Sequence, residues 1–194
     1  MNRLYNTDNG LSNSLINNIY QDSDGFVWIS TEDGLLQFNG MDFRTWHYNR
    51  DEANSLASNL VLEVYEDSRG TFWVGTSKGL QVFDRKSGSF STVDLKDPTS
   101  PGSILHVSSI TEVSGAESGP ELWVASSEHG VYIIDIATRT VKPERRLKLS
   151  RSLLSSFTDH IFQDSSGRIW IGYETGGLAV VDANSLNSTA GVLP

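Results

Sequence analysis

Residues Glu66 to Asp84 read EDSRGTFWVGTSKGLQVFD, and they hold the most complete copy of a pattern that recurs along the chain. An Asp-Ser-x-Gly sequence precedes a short apolar run around Trp73, and a second Gly precedes another apolar run. Short β-rich runs bounded by Gly, Asp and Ser are typical of antiparallel strands. In the turn, Asp67 can accept backbone N–H bonds and Gly70 can take a positive φ. The segment therefore predicts strands joined by tight turns.

The pattern occurs four times, with further copies beginning at Tyr20, Glu121 and Phe162. Its tryptophans are 45, 50 and 47 residues apart. A period in the mid-forties indicates the four-stranded blade of a β-propeller. We expect the repeated residues to be structural anchors of the repeat, with the tryptophans packed between neighbouring sheets. These anchors are Trp28, Trp73, Trp123, Trp170, Gly34, Gly79, Gly130 and Gly177.

The predicted fold is all-β, with propeller blades at about residues 11–49, 56–95, 103–146 and 153–183. The fourth blade lacks a convincing last strand, while residues 3–6 resemble an orphan outer strand. The chain is therefore expected to be a fragment of a seven- or eight-bladed propeller. Two chains could also form a homodimer by lending residues 3–6 to each other's fourth blade in an eight-bladed ring. A four-bladed ring or an open arc is the alternative.

Composition excludes several classes of function. The 194 residues carry a formal net charge of -9 with only 15 Lys and Arg, which argues against nucleic-acid partners. Cysteine is absent, so neither disulfides nor thiolate metal sites are available. No apolar run approaches the roughly 20 residues of a membrane span, so this segment is not expected to insert directly into a bilayer.

Two groups of residues are candidate ligand contacts. The first lies in TWHYNRDE and consists of Trp46, His47, Tyr48 and Arg50; the alternative is an outer strand whose aromatics serve β-packing. The second group follows the tryptophan strand of each blade, so its members should share one end of the blades. Its members are Glu32, Lys78, Glu128, His129 and Glu174, and the alternative is that they are solvated hairpin tips.

No metal or other cofactor is expected. The sequence from Asp22 to Gly25 begins like a calcium loop, but Val27 and Asp33 stand where such a loop needs Gly and Glu. A β-turn is therefore the better interpretation. The four histidines have no metal-ligand spacing and belong to no nucleophile–base motif, so no catalytic residue is predicted.

The repeats resemble the two-component regulator propeller family, in which Asp-x-x-Gly precedes apolar-Trp-apolar-Gly-Thr, then Gly-Leu and an aromatic-Asp pair. Residues 66–84 match this pattern almost throughout, and DNGLSNSLINNIYQDSDGFVWIST at residues 8–31 is similar to the first blade of such sensors. The third blade departs most, because Ala125 and Ser126 replace Gly-Thr and the Asp turn is missing.

The resemblance implies the periplasmic sensor region of a Bacteroidetes-type hybrid histidine kinase. It also implies an oligosaccharide ligand, control of glycan-utilisation genes and further blades of a parent receptor as partners. Kinase activity would lie outside this chain, and this segment would not be an enzyme. One alternative is a scaffold or dimerisation module without its own ligand. Another is a sialidase-like hydrolase, which is disfavoured because its arginine cluster and carboxylate pair cannot be assembled here.

Overall fold

The computed structural model describes residues 3–95, 105–114, 119–127, 130–142 and 157–182, which contain fifteen strands in four antiparallel sheets. Blade 1 contains β1 (Ile16–Gln21), β2 (Val27–Thr31), β3 (Gly34–Phe38) and β4 (Phe43–Trp46). Blade 2 contains β5 (Val61–Glu66), β6 (Phe72–Thr76), β7 (Gly79–Asp84) and β8 (Ser89–Thr92). Blade 3 contains β9 (Val107–Val113), β10 (Glu121–Ser126), β11 (Gly130–Asp135) and β12 (Thr140–Val141). Blade 4 contains β13 (Thr158–Gln163), β14 (Arg168–Tyr173) and β15 (Gly177–Asp182).

The order of strands in each sheet is that of a propeller blade, because neighbouring strands of a sheet are consecutive in the chain. The predicted all-β blade architecture is confirmed. The described part of the chain contains no helix that is long and apolar enough to cross a membrane.

The chain divides into two compact units, residues 1–92 and 93–194. In unit 1, Trp28 is fully buried between blades 1 and 2 and contacts Phe72, with ring centroids 4.5 Å apart. In unit 2, Trp123 is equally buried and packs with Ile161 and Ile171 of blade 4. Trp28 and Trp123 therefore fill the space between successive sheets within their units, as core residues.

The Asp of each Asp-Ser-x-Gly turn has a second role that the turn pattern did not reveal. In blade 1, Asp22 Oδ1 accepts the backbone N–H groups of Asp24 and Phe26, while Oδ2 accepts Trp28 Nε1–H at 2.8 Å. The same bond joins Asp67 to Trp73 at 2.8 Å. One carboxylate thus closes the turn and also satisfies the polar atom of a buried indole, which would otherwise be costly to bury.

Blade 3 shows what happens without this Asp. Trp123 Nε1 is buried, and it has no hydrogen-bond partner among the described residues. Four residues of the loop that replaces the turn, 115–118, lie outside the described part of the chain.

A single arginine ties blade 1 to blade 2 at the end of unit 1 that carries these turns. Arg85 donates to Glu66 Oε1 at 3.0 Å and to Asp22 Oδ2 at 3.3 Å. Partial burial opposes ionisation of Glu66, but hydrogen bonds from Arg85 and Ser23 outweigh it and lower the pKa of this carboxyl. Arg85, Glu66 and Asp22 therefore form a structural contact between the two blades, because both carboxylates accept hydrogen bonds from the protein's own donors.

Residues 3–6 are not a strand, which corrects the prediction of an orphan outer strand there. The segment turns back on itself because Asn9 Oδ1 accepts the Asn6 N–H at 2.6 Å and Asn9 Nδ2 donates to the Leu4 carbonyl at 2.8 Å. Tyr5 then packs edge-on against Phe38 and Phe43 of blade 1, each 5.3 Å away. Local turn bonds and this aromatic contact replace strand pairing.

The turn of blade 4 predicts a dependence of stability on pH. The hydrogen bond from Trp170 Nε1, aided by bonds from Arg168 and Ser166, lowers the pKa of Asp164 from its ordinary 3.8 to about 2. Because the folded pKa is the lower one, the stabilisation is complete above the ordinary value and is lost as the pH falls from 3.8 through about 2.

We expect amide hydrogen exchange in blade 4 to accelerate across that pH interval, after correction for the intrinsic pH dependence of exchange. The Asp164→Asn variant should show a smaller change over the same interval. Equal responses of the two proteins would contradict the role assigned to this carboxylate.

Candidate functional site

Strand pairing brings both predicted groups of unit 1 to the same end of its blades. Thr31 pairs with Gly34 across the β2–β3 hairpin, and Leu35 pairs with Trp46 near the end of β4. The hairpin tip at residues 32–33 and the segment that leaves β4 at residue 47 therefore lie side by side. In blade 2 the corresponding β6–β7 tip carries Lys78.

Asn59, in the loop before β5, connects these segments through three hydrogen bonds. Its Oδ1 accepts the Tyr48 N–H at 2.6 Å, and its Nδ2 donates to Asp33 Oδ1 at 2.9 Å. Its backbone carbonyl accepts the Gly34 N–H at 2.7 Å. Residue 34 lies so close to the end of β4 that it must be Gly, because a Cβ would lie 2.5 Å from the Trp46 carbonyl oxygen. Its φ of +103° also favours Gly. This framework fixes the backbone that presents the neighbouring side chains.

The side chains on this framework include an exposed aromatic ring and charges of both signs. Lys78 Nζ lies 5.3 Å from the centre of the Tyr48 ring, within cation–π range. His47 Nε2 lies 3.8 Å from Asp33 Oδ2, and both side chains are about half exposed. We call the set Asp33, His47, Tyr48, Asn59 and Lys78 the Tyr48 surface.

The Tyr48 surface has the chemistry of a recognition site for a polar ligand. The Tyr48 ring is exposed and offers an apolar face with a hydroxyl at its tip. Asp33 supplies acceptors, Lys78 supplies donors, and Asn59 supplies the rigid support. Such an arrangement can hold a molecule that presents both hydroxyl groups and C–H faces.

Trp46 belongs to the blade interface. Its ring stacks on Trp28 with centroids 5.3 Å apart, and it meets Phe83 edge-on at 5.2 Å. Trp46 therefore fits the alternative given for it above, in which an aromatic residue of the outer strand serves packing. Arg44 also lies over the Trp46 ring, with its Cζ 4.6 Å from the ring centre.

The remaining candidates are placed as follows. Glu32 and Arg50 are exposed at the same end of unit 1 as the Tyr48 surface. Glu174 is exposed in unit 2, and its backbone N–H donates to the Phe157 carbonyl at 2.9 Å. Glu128 and His129 lie outside the described residues.

Sequence reasoning missed Asp33 and Asn59 as members of the surface. The sequence pattern distinguishes Asp33 only as a residue that cannot complete a calcium loop, although Asp33 stands in the same hairpin tip as Glu32. Asn59 stands directly before the apolar residues of blade 2's first strand, and its side-chain partners come from 11 and 26 residues earlier in the chain. Such partners give no local sequence signal.

Three segments match the two-component regulator propeller repeat, at residues 10–33, 55–78 and 152–175. They correspond to the first, second and fourth predicted repeats, which are the three that contain the Asp-Ser-x-Gly turn. The comparison with curated protein sequences gave no match.

The chain is similar to the extracellular domain of the hybrid two-component system BT3049 from B. thetaiotaomicron. The two are 28% identical with a TM-score of 0.75, over 98% of this chain and 26% of the other. The extracellular domain of the hybrid two-component system BT4673 from the same organism gives a TM-score of 0.67 at 19% identity, over 87% of this chain and 24% of the other.

A third similar structure is a streptogramin B lyase, with a TM-score of 0.61 at 18% identity, over 89% of this chain and 57% of the lyase. The BT4673 domain and the lyase, at these identities, show a shared propeller fold alone. The chain spans about a quarter of the length of the two extracellular domains.

Proposed function

We propose that this chain, which carries two-component regulator propeller repeats, is a ligand-sensing segment of the extracytoplasmic part of a hybrid two-component receptor. Its similarity to an extracellular domain of such a system over 98% of its length supports the location. The segment acts by binding rather than by catalysis, and the rigid sheets present a surface to the ligand in a fixed geometry.

The observation that carries the proposal is the Tyr48 surface. An exposed aromatic ring held beside a carboxylate and an ammonium group suits an oligosaccharide, whose C–H faces stack on aromatics and whose hydroxyls pair with charged groups. The buried tryptophans of the repeat cannot serve this purpose, because Trp28, Trp73 and Trp123 are fully buried. Tyr48 is the exposed aromatic residue in that group of contacts.

A ligand at the Tyr48 surface would contact residues of both blades of unit 1. Asp33, His47 and Tyr48 come from blade 1 or the segment that leaves it, while Asn59 and Lys78 belong to blade 2. A ligand that contacts both sides has a higher affinity for one arrangement of these segments than for others. That difference in affinity is what a receptor needs in order to shift between signalling states.

The test is calorimetric titration of this chain and of the intact receptor ectodomain with a panel of plant and host oligosaccharides. For a sugar that binds both proteins, we expect Tyr48→Ala to weaken binding by roughly tenfold or more, through loss of the stacking face. Lys78→Met should weaken it less, because it removes one charged donor and leaves the aromatic ring in place.

The matched control is Met41→Ala, which removes a more exposed apolar side chain from the turn between β3 and β4. It should leave affinity unchanged. If both proteins bind the sugar and Tyr48→Ala has no effect, the binding site lies elsewhere in the chain. Binding by the ectodomain alone would make this segment a scaffold, and binding by neither would exclude the tested sugars as ligands.

A further inference from the structure

Each blade has two different faces, and the packing inside each unit joins one kind to the other. The tryptophan face presents the repeated Trp, and it meets a face of the next blade that is centred on an aliphatic residue of its first strand. In unit 1 the pair is Trp28 with Val64, and in unit 2 it is Trp123 with Ile161. We call the second kind the aliphatic face. Successive blades thus pack through unlike faces.

The tryptophan face of blade 4 is uncovered. Leu178 follows the anchor glycine of its blade and is 60% exposed, whereas the residues at the same register in blades 1, 2 and 3 are at most 2% exposed. Those residues are Leu35, Leu80 and Val131. Phe162, which pairs with Trp170 across the sheet, is exposed as well. Blade 4 therefore presents an apolar face of the type that the other blades bury.

The aliphatic face of blade 1 is uncovered in the same way. Ile19 pairs with the residue after Trp28, and it is 67% exposed. The residues at the same register in the other three blades are at most 6% exposed, and they are Val64, Ile110 and Ile161. Ile16, the first residue of the same strand, and Leu15 directly before it are also exposed. The described part of the chain therefore carries both halves of one blade interface, and residues of both halves are exposed.

Tyr5 shows what kind of blade fits against blade 1. In unit 1, the outer-strand residue Trp46 of blade 1 contacts Phe83 of blade 2 edge-on, with centroids 5.2 Å apart. Tyr5 makes the equivalent contact with Phe38 of blade 1 at 5.3 Å. Tyr5 therefore occupies the place that an outer-strand residue of a preceding blade would take against blade 1. A blade that packs beside Tyr5 needs to supply only three inner strands.

Blade 4 can supply these inner strands, because its described sheet contains β13, β14 and β15. We propose that copies of this chain associate head to tail, with the tryptophan face of blade 4 in one copy packed against the aliphatic face of blade 1 in the next, beside Tyr5. The contact is heterologous, since each copy contributes a different surface. It repeats the packing that already joins blades within each unit.

The test is the oligomeric state of the 194-residue chain, measured by sedimentation equilibrium over a wide range of concentration. We expect the wild-type chain to self-associate. Ile19→Asp and Leu178→Asp should each weaken association by roughly a hundredfold or more, because either change buries an unpaired carboxylate in an apolar interface. Met41→Asp places the same charge on an exposed apolar residue outside both faces and should have no effect.

Mixing the two variants tests the head-to-tail arrangement directly. The Ile19→Asp protein keeps an intact blade 4 face, and the Leu178→Asp protein keeps an intact blade 1 face. The mixture should therefore form a complex with one good interface, although neither variant associates alone. Far-UV circular dichroism of each variant establishes that it is folded.

Three results would overturn the proposal. If the wild-type chain stays monomeric at every concentration, the two faces do not bind each other between copies. Their partners would then be other blades of a longer protein. Association disrupted by only one of the two variants would indicate a symmetric contact between like faces. Failure of the mixture to restore a complex would likewise exclude the head-to-tail arrangement.

Discussion

Asp22→Ala is expected to lower the free energy of unfolding of unit 1 by about 3–5 kcal/mol. The Asp22 side chain is inaccessible to solvent and accepts hydrogen bonds from two backbone N–H groups, from Trp28 Nε1 and from Arg85. Its removal leaves a buried indole N–H without an acceptor and deprives Arg85 of one of its carboxylates. The turn and the blade interface are weakened together.

The measurement is urea unfolding followed by far-UV circular dichroism, with hydrogen exchange of peptides from residues 16–92 to locate the loss in unit 1. Asp42→Ala, at an exposed turn between β3 and β4, is the matched control and should change stability little. Asp22→Asn should fall between the two, since it keeps one acceptor and the shape of the side chain. A loss below about 1 kcal/mol in Asp22→Ala would show that the carboxylate is dispensable.

Trp28→Ala should cost unit 1 about 3–5 kcal/mol, through the cavity left between blades 1 and 2. The ring contacts Phe72 at 4.5 Å and is also in contact with Trp46 and Phe83, so several aromatic contacts are lost at once. Trp28→Phe should cost less, because it keeps an aromatic filling and loses mainly the hydrogen bond to Asp22.

Trp170→Ala is the informative comparison, because it removes the same residue of the repeat from a face that no described blade covers. At a protein concentration where the chain is monomeric, it should destabilise unit 2 less than Trp28→Ala destabilises unit 1. The comparison uses urea unfolding with hydrogen exchange, as fluorescence would change with the number of tryptophans. Equal losses in the free energy of unfolding would show that the position in the repeat, and not burial between two sheets, determines how much the tryptophan stabilises its unit.

The blade pattern was predictable because its signals are local and repeated four times. The spacing of the tryptophans, the Asp-Ser-x-Gly turns and the apolar runs predicted four blades of short strands, and the described residues form four antiparallel sheets. The turn interpretation of Asp22 to Gly25 is confirmed, because Asp22 accepts backbone N–H bonds there and Gly25 has a φ of +89°. The pattern failed at residues 3–6, where a single apolar segment without a repeat to support it was predicted as a strand.

The candidate site was only partly predictable. The sequence indicated that His47, Tyr48 and Lys78 were candidates, but it treated them as two separate groups. It could not show that Lys78 lies over the Tyr48 ring or that Asn59 holds Asp33 and Tyr48 together. Each of these contacts joins residues from different strands or blades, and their spacing differs from one contact to the next.

The sequence by itself determined that this chain is built of propeller blades and where the tryptophan and glycine of each repeat stand, and three of its four repeats match the two-component regulator propeller repeat. Only the tertiary structure decided which tryptophans are buried between sheets, that Asp22 binds Trp28, that Tyr5 fills an outer position on blade 1, and that two unlike apolar faces stay uncovered. The physical reason is that strand and turn propensities depend on a few neighbouring residues and recur with the repeat. Burial and side-chain contacts between blades depend instead on residues that only the folded sheets bring together.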